Sequence, residues 1–155
     1  MTAPVLVFGW GNASRGDDAL GPLFVERLRA AHAGRTDVDW LDDYQLQVEH
    51  ALDLAGRERV LFVDASVSAA PPWEVSVPAP ASDASLSTHA LSPQALLAVY
   101  RRVHGMAPPA CTLLAIRGHH FELGAAPSAE AMANLEAALR WADDWLAAAP
   151  LVPRA

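Results

Sequence analysis

The chain has 155 residues, of which 52% are hydrophobic, so it can bury a substantial core and is not a disordered protein. Acidic residues outnumber basic ones by 18 to 11, and the formal net charge is −7. The only adjacent arginines are Arg101 and Arg102. Because nucleic-acid-binding domains carry a clustered basic surface, we expect no nucleic-acid partner.

The cysteine content and the absence of export signals predict a cytoplasmic protein. Cys111 is the single cysteine and cannot form an internal disulfide, which fits a reducing compartment. The sequence has no basic start followed by a cleavage site, and it has no apolar run of about 20 residues. We therefore expect neither a signal peptide nor a membrane span. Residues 1–155 are predicted to form a single domain.

The first half of the chain alternates between strand and helix patterns. Residues 5–8 are apolar and end in glycine, which is typical of a buried strand, and residues 9–16 predict a loop. A helical pattern then begins at Asp17 and Asp18 and continues to about Ala31. Further predicted elements are a strand over residues 38–41, a short helix over 47–55 and a central strand over 59–64.

The second half continues the alternation. Residues 73–77 alternate in polarity, which predicts an edge strand, and residues 78–92 predict a long loop of the kind that is often functional. Then follow a helix over 92–104, a strand over 111–116, a helix over 128–148 and a loose tail over 150–155. This order predicts an α/β fold: a three-layer sandwich with a central, mostly parallel twisted sheet of about five strands flanked by helices.

Reactive side chains recur where the predicted strands end. Asp18 follows the first strand, Asp64 ends the third, His89 lies in the long loop, and His119 and His120 follow the last strand. Ligands of open α/β sheets gather beyond the carboxyl ends of the strands, so we expect Asp18, Asp64 and His89 to meet there. Two carboxylates and an imidazole suit Zn²⁺ or another borderline divalent ion with an open coordination position.

Each of these residues also has a simpler structural explanation. Asp17 could cap the following helix, and Asp18 could complement the dipole of its first turn. A polar residue at a strand end and a solvated histidine in a loop are both ordinary. Cys111 begins an apolar strand and is predicted to be a core thiol. The sequence reveals no partner for His32, His50 or His104.

The glycine-rich loop has a competing interpretation. Gly9-x-Gly11 after a strand resembles a dinucleotide-binding turn, but the third glycine is displaced to Gly16. Two carboxylates at the start of the helix would also repel a phosphate group. A cation is therefore the better electrostatic partner, and the glycines can instead allow a bound peptide to approach the backbone closely. A nucleotide-binding regulator rests on this loop alone.

Three blocks, in order and correctly spaced, resemble the hydrogenase-maturation protease family over nearly the whole chain. They are Gly9-Trp10-Gly11-Asn12 through Gly16-Asp17-Asp18 to Gly21, then Val63-Asp64-Ala65, then Ser87-Thr88-His89-Ala90-Leu91. The resemblance implies an endopeptidase that removes the C-terminal extension of a nickel-loaded [NiFe] hydrogenase large-subunit precursor and so activates that subunit. A non-catalytic escort protein that recognises the metal site of such a precursor remains the alternative.

The resemblance also implies which residues act. The catalytic and metal-contacting positions of the family carry over to Asp18, Asp64 and His89, although many members have Glu where this chain has Asp18. We favour nickel supplied by the substrate at this site. A resident zinc ion, or a metal-free aspartic pair, would use the same side chains. The sequence does not choose among these three mechanisms.

The segment from Asp43 to His50 resembles the branch of the family that serves soluble, NAD-linked hydrogenases. Other members carry a Gly-Gly-Thr stretch where this chain reads Asp42-Asp43-Tyr44-Gln45, a difference expected to alter substrate choice. The residues that we expect near the substrate are Asp43, Gln45 and Glu49 of this segment, together with Gly11, Asn12 and His119.

Overall fold

The computed structural model describes residues 2–82 and 91–148, and it follows the predicted order of strands and helices. Two short 3-10 helices, Gly16–Ala19 and Val48–Leu54, accompany three α-helices. The elements in chain order are β1 (Val5–Trp10), the first 3-10 helix, α1 (Leu20–Ala31), β2 (Val38–Asp43), the second 3-10 helix, β3 (Arg59–Ser66), β4 (Trp73–Ser76), α2 (Pro93–His104), β5 (Ala110–Arg117) and α3 (Ala129–Ala148).

The strands form one five-stranded sheet in the order β2-β1-β3-β5-β4. Four strands are parallel and β4 alone is antiparallel, pairing with β5 at one edge. The predicted α/β sandwich is thus confirmed, including the edge position of the alternating strand. Because β1, β2, β3 and β5 run in the same direction, their carboxyl ends meet at one rim of the sheet.

The two faces of the sheet are covered by different elements. Val5, Val7 and Phe24 belong to a core shared with α1 and α3, whereas Leu6 and Phe8 belong to a core shared with α2 and the second 3-10 helix. Successive β1 residues point to opposite faces, and all six are buried. This explains why β1 is apolar throughout rather than alternating, as expected of a strand buried on both sides.

Several predicted boundaries were wrong at the rim. The loop predicted over residues 9–16 begins only at Gly11, because β1 continues to pair with β2 through Trp10. Asp64 lies inside β3 rather than at its end, since β3 pairs with β5 as far as Ser66. Asp17 and Asp18 lie in a 3-10 helix that precedes α1, and the predicted helix over residues 47–55 is also a 3-10 helix.

Part of the sequence-based prediction falls outside the described residues. His89, most of the predicted long loop and the predicted tail lie in residues 83–90 and 149–155. Within the described residues, no helix combines the length and apolar character needed to cross a bilayer. Cys111 is buried, as predicted for a core thiol, and its burial raises the pKa of the thiol to about 12.

A close backbone contact fixes α1 against the end of β1. A Cβ atom added at Gly21 would lie 2.2 Å from the carbonyl oxygen of Trp10, and one added at Gly9 would lie 2.4 Å from the carbonyl oxygen of Gly21. Neither distance leaves room for a side chain, and the obstructing atoms are backbone. Glycine at both positions lets the helix approach the strand and sets where the loop between them can run.

We predict that Gly21→Ala lowers the free energy of unfolding by about 2–4 kcal/mol, because the new methyl group must displace backbone. Chemical denaturation with circular dichroism measures this change. Gly34→Ala is the matched control, since a Cβ atom there meets nothing within 4 Å. An unchanged stability in Gly21→Ala would show that α1 can move away from β1 without cost.

Candidate functional site

A cleft of about 510 Å³ lies at the rim where the parallel strands end. Trp10 is the last residue of β1, and Gly11 follows it. Asp64 lies in β3, two residues before the strand ends, and Asp18 lies in the first 3-10 helix. Two of the three predicted metal-contacting residues therefore share one cleft. His89, the third, lies outside the described residues.

The loop after β1 holds the Asp18 carboxylate in place. Asp18 Oδ2 accepts a hydrogen bond of 2.7 Å from the backbone N–H of Asn12. Gly11 makes this return possible, because its φ is 150° and an added Cβ atom would lie 1.9 Å from the carbonyl oxygen of Asp18. The glycines of the predicted motif thus serve the position of a carboxylate rather than the binding of a phosphate.

Asp64 is the electrostatically unusual group of the cleft. Burial, followed by repulsion from Asp18, raises the pKa of its carboxyl group to about 7. Hydrogen bonds from the Ala65 backbone N–H and the Trp10 side chain oppose this rise without cancelling it. Near neutral pH, the Asp64 carboxyl group is therefore present partly in its protonated form.

This pair fits a cation chemically. A cation between the two carboxylates would relieve their repulsion, and its binding would release the proton of Asp64. Residues 2–82 and 91–148 contain no cluster of three or more His, Cys, Asp or Glu side chains suited to a metal ion. The described part of the cleft therefore offers two carboxyl groups, those of Asp18 and Asp64.

Asp17, the neighbour of Asp18, has a different role from the helix cap considered above. Its side chain is fully buried and accepts hydrogen bonds from the backbone N–H groups of His119, His120 and Ser128 and from the Ser128 hydroxyl, at 2.6–2.9 Å. Burial alone would raise the pKa of Asp17, but these bonds outweigh it and lower the pKa. Asp17 thereby ties the cleft loop to the segment that joins β5 to α3.

A second set of hydrogen bonds holds the segment after β2. The buried His50 ring accepts from the Gln47 N–H at Nδ1, which leaves Nε2–H to donate to Asp43 Oδ2 at 3.0 Å. The hydroxyl of Tyr44 accepts a bond of 3.1 Å from the Asn12 amide across the cleft. His50, for which the sequence suggested no partner, thus helps to fix the residues that enter the cleft.

The predicted substrate-contacting residues divide into two groups. Gly11, Asn12 and Gln45 line the cleft together with Asp18 and Asp64. Asp43, Glu49 and His119 are not among its lining residues. The Asp43 carboxylate faces His50, and His119 contacts Asp17 through its backbone and Asn134 through its ring.

The lining residues that were not singled out from the sequence include Arg15, Tyr44 and Phe121. Arg15 is an exposed cation beside two acidic groups, and its place inside the glycine-rich loop was the available signal. Phe121 follows the two histidines after β5 and reaches the cleft because Asp17 holds that segment nearby. Tyr44 is 61% exposed and adds apolar surface to the rim.

Comparison with known proteins supports the family resemblance through structure. No protein-family profile and no curated protein sequence matches the chain. Among solved structures, the [NiFe] hydrogenase maturation protease HycI of Thermococcus kodakarensis KOD1 is 24% identical with a TM-score of 0.72, covering 94% of this chain and 93% of its own. The hydrogenase 2 maturation peptidase of a Thaumarchaeota archaeon is 25% identical with a TM-score of 0.67, covering 92% and 97%.

The hydrogenase maturating endopeptidase HybD of E. coli is 24% identical, with a TM-score of 0.67, and the alignment covers 93% of this chain and 92% of that one. These neighbours share the fold over nearly their full lengths.

We predict that Asp17→Asn lowers the free energy of unfolding by about 2–4 kcal/mol at neutral pH, because an amide cannot accept from all four donors. The folded-state pKa of Asp17 lies below its unfolded value of 3.8, so this stabilisation is present above about pH 4 and is lost as the pH falls. Denaturation at several pH values should show wild type and Asp17→Asn converging in acid. A constant difference at every pH would contradict this assignment.

We predict the opposite effect on stability for Asp64→Asn. The folded-state pKa of about 7 exceeds the ordinary 3.8, so wild-type stability falls as the pH rises between these values. Asp64→Asn should therefore gain about 1–3 kcal/mol at about pH 8 and little below about pH 4. Thermal denaturation measures this gain. Asp144→Asn, at an exposed position of α3, is the control for the loss of one charge.

Proposed function

We propose that this chain is an endopeptidase that removes the C-terminal extension of a [NiFe] hydrogenase large-subunit precursor. The observation that carries the proposal is the pair of Asp18 and Asp64 in one rim cleft of a fold shared with solved hydrogenase maturation proteases. The conserved fold alone would allow many activities, so the argument rests on the two carboxylates and their electrostatics.

We further propose that the nickel ion of the precursor binds to Asp18, Asp64 and His89. An ion that keeps ligands from its own protein needs only a few more, whereas a resident catalytic zinc ordinarily has three protein ligands. The raised pKa of Asp64 favours this order of events, because the free cleft holds a proton that an arriving cation displaces. The precursor would thus be recognised only after nickel insertion.

The reaction is amide hydrolysis. A water molecule adds to the carbonyl carbon of the scissile bond, the C–N bond breaks, the leaving amine takes up a proton, and the new carboxyl group stays on the large subunit. A carboxylate of the Asp18 and Asp64 pair is the group suited to accept the water proton and pass it on to the leaving amine. Asp18 would contribute a carboxylate oxygen to the metal ion that the precursor carries.

The remaining parts of the proposal concern the surroundings of the enzyme. We propose a cytoplasmic site of action and a soluble, NAD-linked hydrogenase as the source of the precursor, on the basis of the segment from Asp43 to His50. A resident zinc ion and a metal-free aspartic pair are the competing mechanisms. Stoichiometric zinc in the purified protein would favour the first of these, and equal cleavage of nickel-free precursor would favour the second.

We predict that the wild-type protein shortens nickel-loaded precursor, but not nickel-free precursor, by the mass of the extension. Asp18→Asn and His89→Ala should each lower the rate by at least about 100-fold, because each removes a group that contacts the reacting centre. Mass spectrometry of the large subunit measures the product. Asp144→Asn removes one charge from α3, at a residue distant in sequence from those of the cleft. This variant should process the precursor at the wild-type rate.

Two results would oppose the proposal. Binding of the precursor without any loss of mass would favour the escort function instead. Normal trimming by Asp18→Asn would show that the carboxylate pair is not the reacting centre.

A further inference from the structure

The strand β2 forms a free edge of the sheet. Its neighbour β1 lies on one side, and no strand of the described chain pairs with the other. The carbonyl oxygens of Asp37 and Asp43 accept hydrogen bonds from β1 and from Gly11, so alternate residues between them also face β1. The backbone N–H and C=O groups of Val38, Trp40 and Asp42 consequently face away from the sheet.

A cleft lies along each face of this edge. Between α1 and β2 is a cleft of about 720 Å³, the α1-side cleft, whose walls include Leu23, Ala30, Val38 and Trp40. On the opposite face is a cleft of about 400 Å³ whose walls include Leu41 and Arg57. A strand added to β2 would point successive side chains into these two spaces in turn, as a bound extended peptide requires.

The edge leads directly into the catalytic cleft. β2 ends at Asp43, and the next two residues, Tyr44 and Gln45, line the cleft that contains Asp18 and Asp64. An extended chain leaving that cleft along β2 would run opposite to β2, because β2 runs towards the rim. Along the chain, Asp43 alone separates the free edge at Asp42 from the cleft at Tyr44.

Acidic and basic side chains both line the two edge clefts, and among them Arg29 is available to an acidic group on the occupant. Arg29 of α1 lines both edge clefts, so it stands beside the free edge. Arg35 pairs with Asp37 and Arg57 pairs with Asp39, but among the described residues Arg29 has no ion-pair partner. Since α1 starts at the rim and descends to Ala31, Arg29 lies near the end of β2 away from the catalytic cleft.

We propose that the C-terminal extension of the precursor binds as a sixth strand, antiparallel to β2, with Arg29 available to a carboxylate of the extension. This inference rests on the proposed function and adds a binding site for the part of the substrate that is removed. Recognition is mainly through the backbone, so it tolerates different extension sequences. The nickel site fixes where the chain is cut, and the edge of β2 holds the departing segment.

The test combines a change in the edge with a change in the extension. Asp42→Pro removes one outward N–H, and proline is tolerated at such a position of an edge strand. With nickel-loaded precursor carrying its complete extension, KM should rise about 5- to 10-fold, as expected for one lost hydrogen bond. With a precursor whose extension is cut to two residues, Asp42→Pro and wild type should have the same KM, because neither can use the edge.

Three comparisons sharpen the result. Val75→Pro makes the same change in the opposite edge strand β4 and should leave KM unchanged. Asp42→Ala keeps the outward N–H and should lose less affinity than Asp42→Pro. Arg29→Gln changes only an exposed side chain, so it repeats the test with the two precursors if Asp42→Pro fails to fold.

The outcomes separate the two proposals. If wild type trims neither precursor, the proposed function itself fails. If it trims both, and the edge variants raise KM equally with the long and short extensions, the sixth-strand proposal alone is wrong. A wild-type dimer that Asp42→Pro converts to monomer, with unchanged processing, would also overturn it by assigning the edge to a second copy of the chain.

Discussion

The candidate site depends on one buried carboxylate that takes no part in the proposed chemistry. Asp17 satisfies four donors on the segment between β5 and α3 and thereby joins the first and last thirds of the chain at the sheet rim. Three backbone hydrogen bonds, Gly16 N–H to Ala125 O, Asp17 N–H to His120 O and Gly124 N–H to Ser14 O, hold the same two segments together. The adjacent acidic residues thus have opposite environments: Asp17 is fully hydrogen-bonded, and Asp18 is left to face the cleft.

The position of Asp64 in the cleft lowers the stability of the folded protein, although it suits the proposed chemistry. Asp64 lies within a buried strand beside Asp18, and both burial and repulsion disfavour its charged form. A fold selected for stability alone would place an uncharged side chain there. This unfavourable placement supports the role in metal binding or proton transfer that is proposed for Asp64.

Much of the fold could be predicted because the strands are apolar in the manner of buried parallel strands and the helices have periodic apolar faces. Asp18 and Asp64 could be placed at the same rim because parallel strands end together. What the sequence could not provide was long-range pairing: Asp17 with Ser128, or His50 with Asp43, depends on how distant loops meet. The ends of β1 and β3 were also placed too early, since pairing with a neighbour, rather than local composition, extends them through Trp10 and Ser66.

The contact between Gly21 and the Trp10 carbonyl has a consequence for how this enzyme class diversifies. The main chains of α1 and β1 are in close contact there. The helix therefore cannot move relative to the strand to accommodate a different substrate. Under the proposed function, a change of substrate specificity would then come from the surrounding loops, such as the segment around Tyr44, while α1 and β1 keep their positions.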